Sequence, residues 1–296
     1  MLIAGTVPIR DMPLSIGEVT AGEEVLFVNG ESIPCTQGTG AMVSAALATT
    51  TYLGLDAPHT LLAGDVGEGT GSRELYQYLI DHIAEISPTV LALHYWLPEM
   101  SQTRQLCEAV KKCRRRPLMI ADAASMYSAK GAGLAEEFDI FTPDATEIAF
   151  LADPDATHPA YIARHLFETD IAQAPELARV AYKNRGAAKL LLVKGATDYI
   201  IRDGEVLAMV TEPDVPPLEA IGGTGDAITG LVAALVYAEM EPYEAAVIAA
   251  KANRMAGKYA RATPATRVKH IVDQFPAVFR DNLCQWSGVC FLEGGN

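Results

Sequence analysis

The chain has 296 residues, half of them hydrophobic and a fifth charged, with a formal net charge of −14. This composition is typical of a soluble globular protein, and the length accommodates one large domain or two small ones. A surface this acidic argues against a nucleic-acid partner, because phosphate backbones are bound by basic faces. A local site can still hold a small phosphate against the overall field.

No part of the sequence indicates export or membrane insertion. The first residues, MLIAGTVPIRDMPL, lack a charged region followed by a long apolar core, and no apolar run reaches transmembrane length. The five cysteines match neither a disulfide framework nor a zinc pattern, since they are odd in number and widely spaced. We therefore expect free thiols in a cytoplasmic protein without a membrane partner, with pairing of Cys284 and Cys290 as the alternative.

Short apolar runs alternate with longer helical patterns along the chain. Strands are predicted, in chain order, over 23–30, 59–67, 89–96, 117–124, 138–144 and 189–195, followed by a hairpin over 199–210 that turns at Asp203 and Gly204. Helices are predicted over 39–55, 72–86 with Ser72 as the cap, 101–113, 145–152, 175–186, and onward from Asp226 and from Pro242. The polar segment 153–174 is predicted to be a loop with a short helix.

This alternation predicts an α/β fold with a central, mostly parallel sheet flanked by helices on both faces. We interpret residues 1–296 as a single domain, with 280–296 as a C-terminal tail. In such sheets ligands bind at the carboxyl ends of the strands, so the strand-to-helix loops are the candidate site.

The segment GGTGD, residues 222–226, opens an alanine-rich helix. Its glycines let the backbone amides of Gly223, Thr224 and Gly225 point at an anion, which the helix dipole also favours. Asp226 would then take a proton from a substrate hydroxyl beside bound phosphates. The alternative is a glycine turn in which Asp226 only caps the helix.

Two other loops carry candidate residues, each with a structural alternative. In TPDATE, Asp144 and Glu147 either complete a helix cap or lie near a hydrated magnesium ion or a phosphate. In VKGATD, Lys194 and Gly195 either end a strand at the surface or face phosphates at the sheet edge.

The glycine-bearing segment GDVGEGTG, residues 64–71, does not have the spacing of a dinucleotide fingerprint. A turn beside the substrate is favoured instead, which makes Asp65 and Gly67 candidate substrate residues. The six histidines are scattered, and no two have metal-ligand spacing on an evident helix. We therefore assign no metal site to the histidines.

The order of the motifs is more specific than any one of them. T-P-x-x-x-E, then V-K-G, then G-G-T-G-D before an alanine-rich helix resembles the ribokinase-like superfamily. Within it, GGTGDAITGLVAALV and EAAVIAAKANRMAGKYA most resemble the ADP- or ATP-dependent NAD(P)H-hydrate dehydratases, also labelled carbohydrate kinases. The resemblance extends from about Pro117 to Phe279 and is weaker over the first hundred residues.

The resemblance implies a nucleotide, ATP or ADP with Mg²⁺, held between the VKG strand, the GGTGD loop and the helix around Asn253. It makes Asp226 the catalytic acid/base, Gly223 and Gly225 the backbone of the anion hole, and Lys194 a neighbour of the phosphates. In the dehydratases the nucleotide phosphorylates the hydroxyl of the hydrate and phosphate then leaves. Oligomers are common in the superfamily, so a homo-oligomer is expected.

The substrate side departs from the dehydratase pattern. Where that family has G-P-G-L-G, this chain has LHYWLPE with His94, and the family's D-A-D reads ADAAS, which keeps only Asp122. Tyr95 or Trp96 either stacks on a planar substrate ring or packs in the core. Asp144 to Glu147 also fits the N-x-x-E spacing of sugar and vitamin kinases, with Asp for Asn. The sequence therefore predicts an ATP- or ADP-dependent hydrate dehydratase, with a small-molecule kinase and a non-catalytic nucleotide-binding regulator as alternatives.

Overall fold

The computed structural model describes residues 1–156 and 173–288. The strands are β1 (Leu2–Val7), β2 (Ser15–Ala21), β3 (Val25–Val28), β4 (Glu31–Pro34), β5 (His59–Gly64), β6 (Val90–His94), β7 (Leu118–Asp122), β8 (Ile140–Phe141), β9 (Leu190–Val193), β10 (Asp198–Arg202) and β11 (Glu205–Val210). The helices are α1 (Gly38–Tyr52), α2 (Thr70–Ile86), α3 (Met100–Val110), α4 (Ala124–Gly131), α5 (Ala145–Ala152), α6 (Ala174–Lys183), α7 (Thr224–Tyr237), α8 (Pro242–Tyr259), α9 (Val268–Val272) and α10 (Phe275–Ser287). Short 3₁₀ turns cover Ala135–Glu137 and Pro216–Ala220.

The strands form one sheet in the order β11-β10-β9-β8-β7-β6-β1-β5-β2-β3-β4. The neighbours from β9 to β5 are all parallel, as helix crossovers require. Antiparallel strands extend both edges: β10 and β11 on one side, and β2, β3 and β4 on the other. The predicted mostly parallel α/β sheet is confirmed, and so is the hairpin that turns at Asp203 and Gly204.

Both faces of the sheet are covered, because successive side chains of a buried strand point to opposite sides. In β1, Ile3 and Val7 belong to one core cluster together with α1, α7, α8, α9 and α10. Leu2 and Ala4 of the same strand belong to a second cluster with α2, α3, α4, α5 and α6. The predicted flanking helices on both faces are thus confirmed.

The N-terminal part differs most from the prediction. Strands β1, β2 and β4 were not predicted. Segment 23–30, predicted as a buried strand, contains β3, an antiparallel strand of the edge extension that is only half-buried. Its Leu26 and Val28 are buried while Phe27 is 44% exposed, which is the alternation of a strand with one covered face. Helix α4 was also not predicted, because its buried residues are mostly small and polar and show no apolar period.

Several predicted boundaries shift. Helix α2 begins at Thr70 behind a left-handed Gly69, so Ser72 lies inside the first turn and is not the cap. The predicted loop 153–174 lies mostly outside the described residues. Residues 280–287 of the predicted tail continue α10, which buries Phe279 and Leu283. Cys284 is disulfide-bonded, so the expectation of free thiols is wrong for that residue, whereas Cys35, Cys107 and Cys113 are free.

No helix within residues 1–156 and 173–288 is both long enough and apolar enough to span a bilayer. The alanine-rich helices α1 and α7 pack against each other in the sheet's first core cluster. Their contact is close at Gly230, where an added Cβ would lie 2.1 Å from the carbonyl oxygen of Met42 and 3.0 Å from the Cβ of Ala45. The backbones of the two helices therefore meet with no room for a methyl group.

This contact predicts that Gly230→Ala destabilises the protein although alanine favours helices. Overpacking typically costs roughly 1–3 kcal/mol, against a helix-propensity gain of about 1 kcal/mol. We expect a lower midpoint in urea unfolding. Gly17→Ala is the control, since its Cβ would have only ordinary contacts at 3.9 Å with Asn29. A Gly230→Ala protein as stable as the wild type would contradict the close contact.

Candidate active site

A cleft of about 400 Å³ opens at the carboxyl ends of the parallel strands. Strand β7 ends there at Asp122, and the strand β9 leads directly into Lys194. Most of the site residues predicted from sequence line this cleft: Asp122, Asp144, Glu147, Lys194, Gly195, Thr224, Gly225, Asp226 and Asn253. The three loops predicted from the sequence to carry the site, TPDATE, VKGATD and GGTGD, therefore meet at one cleft.

The GGTGD segment forms the N-terminus of α7. Gly223 is the N-cap with φ +95°, a backbone conformation that glycine adopts without strain. The Thr224 hydroxyl lies 3.0 Å from the carbonyl oxygens of Leu218 and Ile221, and its one proton, shared between them, holds the turn in place. The amides of Gly225 and Asp226 find no acceptor in the described part of the chain. A helix N-terminus with open amides at a cleft is suited to an anion.

Asp226 does not cap its own helix, so that alternative is wrong. Its Oδ2 accepts the backbone N–H of Gly38, the first residue of α1, at 2.7 Å, and its Oδ1 lies 3.1 Å from Nε2 of His94. Burial opposes the charge on Asp226, but the hydrogen bond and charge of His94 outweigh it and lower the pKa of the carboxyl. Asp226 is therefore an ionised, fixed carboxylate at the edge of the cleft.

Asp122 and Lys194 form a buried ion pair at the floor of the cleft. The Lys194 Nζ donates to both carboxylate oxygens of Asp122 at 2.9 Å, and the Thr229 hydroxyl donates to Oδ2 at 2.5 Å. Burial disfavours both charges, yet the pairing raises the pKa of Lys194 and lowers that of Asp122. Lys194 is 9% exposed and does not end its strand at the surface.

His94 lies behind these groups and does not line the cleft. It is fully buried, with Nε2 3.1 Å from Asp226 and 3.7 Å from Asp122, and with Nδ1 3.0 Å from the Thr39 hydroxyl. Burial lowers its pKa, but the two carboxylates dominate and raise it to about 9. The expectation that His94 contacts substrate is not supported by this position.

The ligand atoms of His94, Asp122 and Asp226 lie within 4.8 Å of one another, close enough to hold a metal ion. In this structure the Lys194 ammonium, 2.9 Å from Asp122, occupies the cationic place in the cluster. We therefore describe these three residues with Lys194 as a buried charge cluster.

Asp144 and Glu147 adopt the helix-cap arrangement. The Asp144 carboxylate accepts the amides of Thr146 and Glu147 at 2.8 Å, and Glu147 accepts the Asp144 amide in return. The Tyr127 hydroxyl donates to the other oxygen of Glu147 at 3.1 Å. Burial and the charges of Asp144 and Asp122 raise the pKa of Glu147 to about 8. Because both residues also line the cleft, the cap and a role at the site are compatible.

Asp65 and Gly67 lie away from this cleft. Asp65 accepts the amides of Gly67, Gly69 and Ser72 at 2.9–3.0 Å and the Ser72 hydroxyl at 2.8 Å. It therefore fills the N-terminus of α2 with the protein's own carboxylate, and the structure does not bring it together with Asp226. Asp65 borders a separate cleft of about 280 Å³.

Two neighbouring aromatics have different surroundings. Trp96 is buried and stacks on Tyr76 at 4.3 Å, so it packs in the core. Tyr95 is 51% exposed and lines the cleft. Tyr95 and Ala123, which follow the strand ends of β6 and β7, both have φ of +52°. Such strain in residues other than glycine clusters at functional sites.

Sequence reasoning missed the residues that hold the site from behind. Gly38 and Thr39 belong to TQGTG, a glycine-bearing loop before a helix that could have been singled out by the same argument as GGTGD. Arg254 is buried, pairs with Asp198 at 2.7 Å, and donates to the carbonyl oxygens of Gly195 and Ala196 at 2.8 Å. Nothing in the local sequence identifies that contact.

Sequence comparisons agree with the geometry. A family model described as NAD(P)H-hydrate dehydratase matches residues 66–276. An uncharacterized protein of Methanocaldococcus jannaschii is 35% identical over 242 residues, which are 82% of this chain and 100% of that protein. The bifunctional NAD(P)H-hydrate repair enzyme of Pyrobaculum aerophilum is 30% identical over 189 residues, 62% of this chain but 34% of that enzyme.

Solved structures share the fold at low identity. The ADP/ATP-dependent NAD(P)H-hydrate dehydratase from Bacillus subtilis, co-crystallized with ATP/Mg²⁺, has a TM-score of 0.57 at 15% identity, covering 95% of this chain and 89% of that chain. Phosphofructokinase-2 from Escherichia coli has a TM-score of 0.54 at 13% identity, covering 94% and 99%. Because the family model covers more than half of the chain, the protein belongs to the NAD(P)H-hydrate dehydratase family and has the ribokinase-like fold that its motif order predicted.

Proposed function

We propose that this protein is an ATP- or ADP-dependent NAD(P)H-hydrate dehydratase in which Asp226 accepts the proton of the substrate hydroxyl. The observation that carries the proposal is the first turn of α7, where a fixed carboxylate lies beside open backbone amides at one edge of a cleft. A base and an anion cradle within one helical turn suit phosphate chemistry on a hydroxyl group. Family membership supplies the substrate class.

The cleft has features that fit a nucleotide. Asn253 is 4% exposed, and its Oδ1 has no hydrogen-bond partner among the described residues, so it can accept a donor of a bound base. Val215, Leu218 and Ile228 give the same cleft an apolar wall. The amides of Gly225 and Asp226 would hold phosphate oxygens. When bound, the nucleotide supplies the phosphoryl group that makes the hydroxyl of the hydrate a leaving group.

Magnesium is part of the proposal because the cleft is acidic. Apart from the paired Asp122 and Asp198, its lining includes the carboxylates of Asp144, Asp214 and Glu219 and the carboxyl group of Glu147, whose pKa is raised to about 8. Its two cationic side chains, Lys194 and Arg254, each pair with a carboxylate. A polyphosphate would meet net negative charge there, which Mg²⁺ carried by the nucleotide offsets. Asp144 and Glu147 would hold that ion, whose charge would favour the ionised form of Glu147.

Asp226 is suited to accept a proton late in the reaction. A carboxylate with a lowered pKa is a weak base toward a free hydroxyl, but it can orient that hydroxyl and take its proton as the oxygen bonds to phosphorus. The Gly38 amide and the His94 ring hold the carboxylate in place, so no reorganisation is needed.

The first test is substitution of Asp226 by Asn. We expect the turnover of NADH hydrate to fall by roughly 10²–10⁴-fold. Turnover is measured as the release of NADH and phosphate in the presence of ATP or ADP. Nucleotide binding should change little. It is measured as the rise in melting temperature when nucleotide and Mg²⁺ are added. Asp214→Asn is the matched control, because it removes an exposed carboxylate from the same cleft.

Retention of near-full turnover by Asp226→Asn would remove this residue from the mechanism. Formation of a phosphorylated metabolite instead of a dehydrated dinucleotide would support the small-molecule kinase alternative. Absence of any nucleotide-dependent rise in melting temperature would count against the nucleotide site.

A second prediction concerns the pH dependence of stability at Glu147. Its pKa rises from 4.5 to about 8 on folding, so the native state holds a proton that the unfolded chain releases. Stability should therefore fall as pH rises between these values. Glu147→Gln keeps the cap and removes the ionisation. We expect the variant to match the wild type near pH 4 and to be more stable above pH 8.

The measurement is urea unfolding across that pH range, with Glu219→Gln as control, since Glu219 is an exposed carboxylate of the same cleft. If Glu147→Gln and the wild type had parallel profiles, the carboxyl would not be protonated in the native state.

A further inference from the structure

We propose that His94 is a positioning residue that acts through Asp226, as a doubly protonated ring that fixes the base in one orientation and keeps it ionised. The inference rests on the proposed function of Asp226 and adds a residue that does not line the cleft. His94 is fully buried at the end of β6, so substrate does not reach it.

The protonation of the ring follows from its hydrogen-bond partners. The Thr39 hydroxyl has one proton, and it donates that proton to the carbonyl oxygen of Thr6 at 2.7 Å. The same hydroxyl therefore accepts from Nδ1 of His94, 3.0 Å away. On the other side, Nε2 faces only carboxylate oxygens, those of Asp226 at 3.1 Å and Asp122 at 3.7 Å. Carboxylates accept, so both ring nitrogens carry a proton and the ring is a cation.

Charge counting gives the same result. Lys194 is engaged by both oxygens of Asp122 at 2.9 Å, which leaves Asp226 without a cation unless His94 is charged. With an imidazolium, the buried charge cluster holds two positive and two negative groups. An unpaired carboxylate at that depth would be costly. The raised pKa of His94, about 9 with the two carboxylates as the cause opposing burial, agrees.

A glycine in β1 lets the His94 backbone and the Thr39 side chain, which together hold this arrangement, approach closely. A Cβ on Gly5 of β1 would lie 2.5 Å from the His94 carbonyl oxygen and 2.8 Å from the Thr39 hydroxyl. The titratable groups around the pair, besides Asp122 and Lys194, include Tyr95 beside the ring at 4.7 Å. Burial and the Asp226 charge raise the pKa of Tyr95 to about 12, so it stays neutral in the working range.

The consequence is a carboxylate fixed at both oxygens. The Gly38 amide holds Oδ2 and the His94 ring holds Oδ1, so the remaining lone pairs of Asp226 serve the substrate. A positively charged ring at hydrogen-bond distance also lowers the pKa of Asp226, and thus the pH below which this base is protonated and inactive.

The kinetic test uses His94→Gln, since glutamine retains an N–H donor toward Asp226 but carries no charge. We expect the acidic limb of the kcat/KM profile for NADH hydrate to move upward by roughly 1–3 pH units. The nucleotide-induced rise in melting temperature should remain. His59→Gln is the control, because His59 is an exposed histidine paired with a surface carboxylate. A His94→Gln profile that superimposes on the wild type would overturn the proposal.

A second measurement does not depend on activity or on the stability of the variant. Ring ¹⁵N NMR of the wild type at pH 8 should show both nitrogens of His94 protonated, where a free imidazole is neutral. In Asp226→Asn the ring should lose its proton at lower pH. A neutral ring in the wild type would overturn the proposal, whatever the turnover. A charged ring in a protein that does not turn over NADH hydrate would instead refute the proposed function and leave the charge pair standing.

Discussion

The site depends on a balance of buried charge. Two carboxylates meet at one cleft: Asp122 at the end of strand β7, which is buried, and Asp226 in the first turn of helix α7, which is partly buried. Each would be expensive to bury alone, and each has its own cationic partner, Lys194 for the first and His94 for the second. Breaking a buried pair typically costs about 3–5 kcal/mol, because one charge is left uncompensated. The cluster is therefore a structural element of the fold as well as the centre of its chemistry.

This balance of charge depends in turn on how closely helices α1 and α7 approach each other. Helices α1 and α7 meet at Gly230, which leaves no space for a side chain, and their N-termini converge on Asp226. A wider spacing would take the Gly38 amide out of reach of the carboxylate. The same approach directs the dipoles of both helices at negative charge. The small residues where these helices meet thus allow the N-termini of both helices to lie close to the Asp226 carboxylate.

The sequence predicted what is local and periodic. The apolar runs of β6, β7 and β9 are buried central strands, and the rule that parallel strands present loops at one edge correctly collected Asp122, Lys194 and Asp226. Strands β2 and β4 of the antiparallel extension were missed because only one of their faces is covered, so their apolar residues are sparse.

Pairing across long stretches of chain could not be predicted from local patterns. Asp226 and Gly38 are 188 residues apart, and Arg254 and Asp198 are 56 residues apart. His94 was found as a candidate, but its role was assigned to the substrate, because spacing does not show whether a side chain at a strand end points into a cleft or behind it. Asp65 was also predicted to contact substrate, but its carboxylate accepts the backbone amides of its own glycine-rich loop.

The arrangement also limits which chemistry is plausible for Asp226. A histidine that is itself neutral can activate a nucleophile by taking its proton, but a charged ring has no free nitrogen for that purpose. His94 holds protons on both sides and cannot take another, and both oxygens of Asp122 accept from Lys194, so Asp226 is the carboxylate of the charge cluster that is left to accept a proton at the cleft. A carboxylate that is stabilised as an anion is a weak base, so it does not favour early deprotonation of the substrate hydroxyl. It suits a reaction whose transition state is reached mainly by positioning and by cancelling phosphate charge, which is the chemistry for which the open amides of α7 are built.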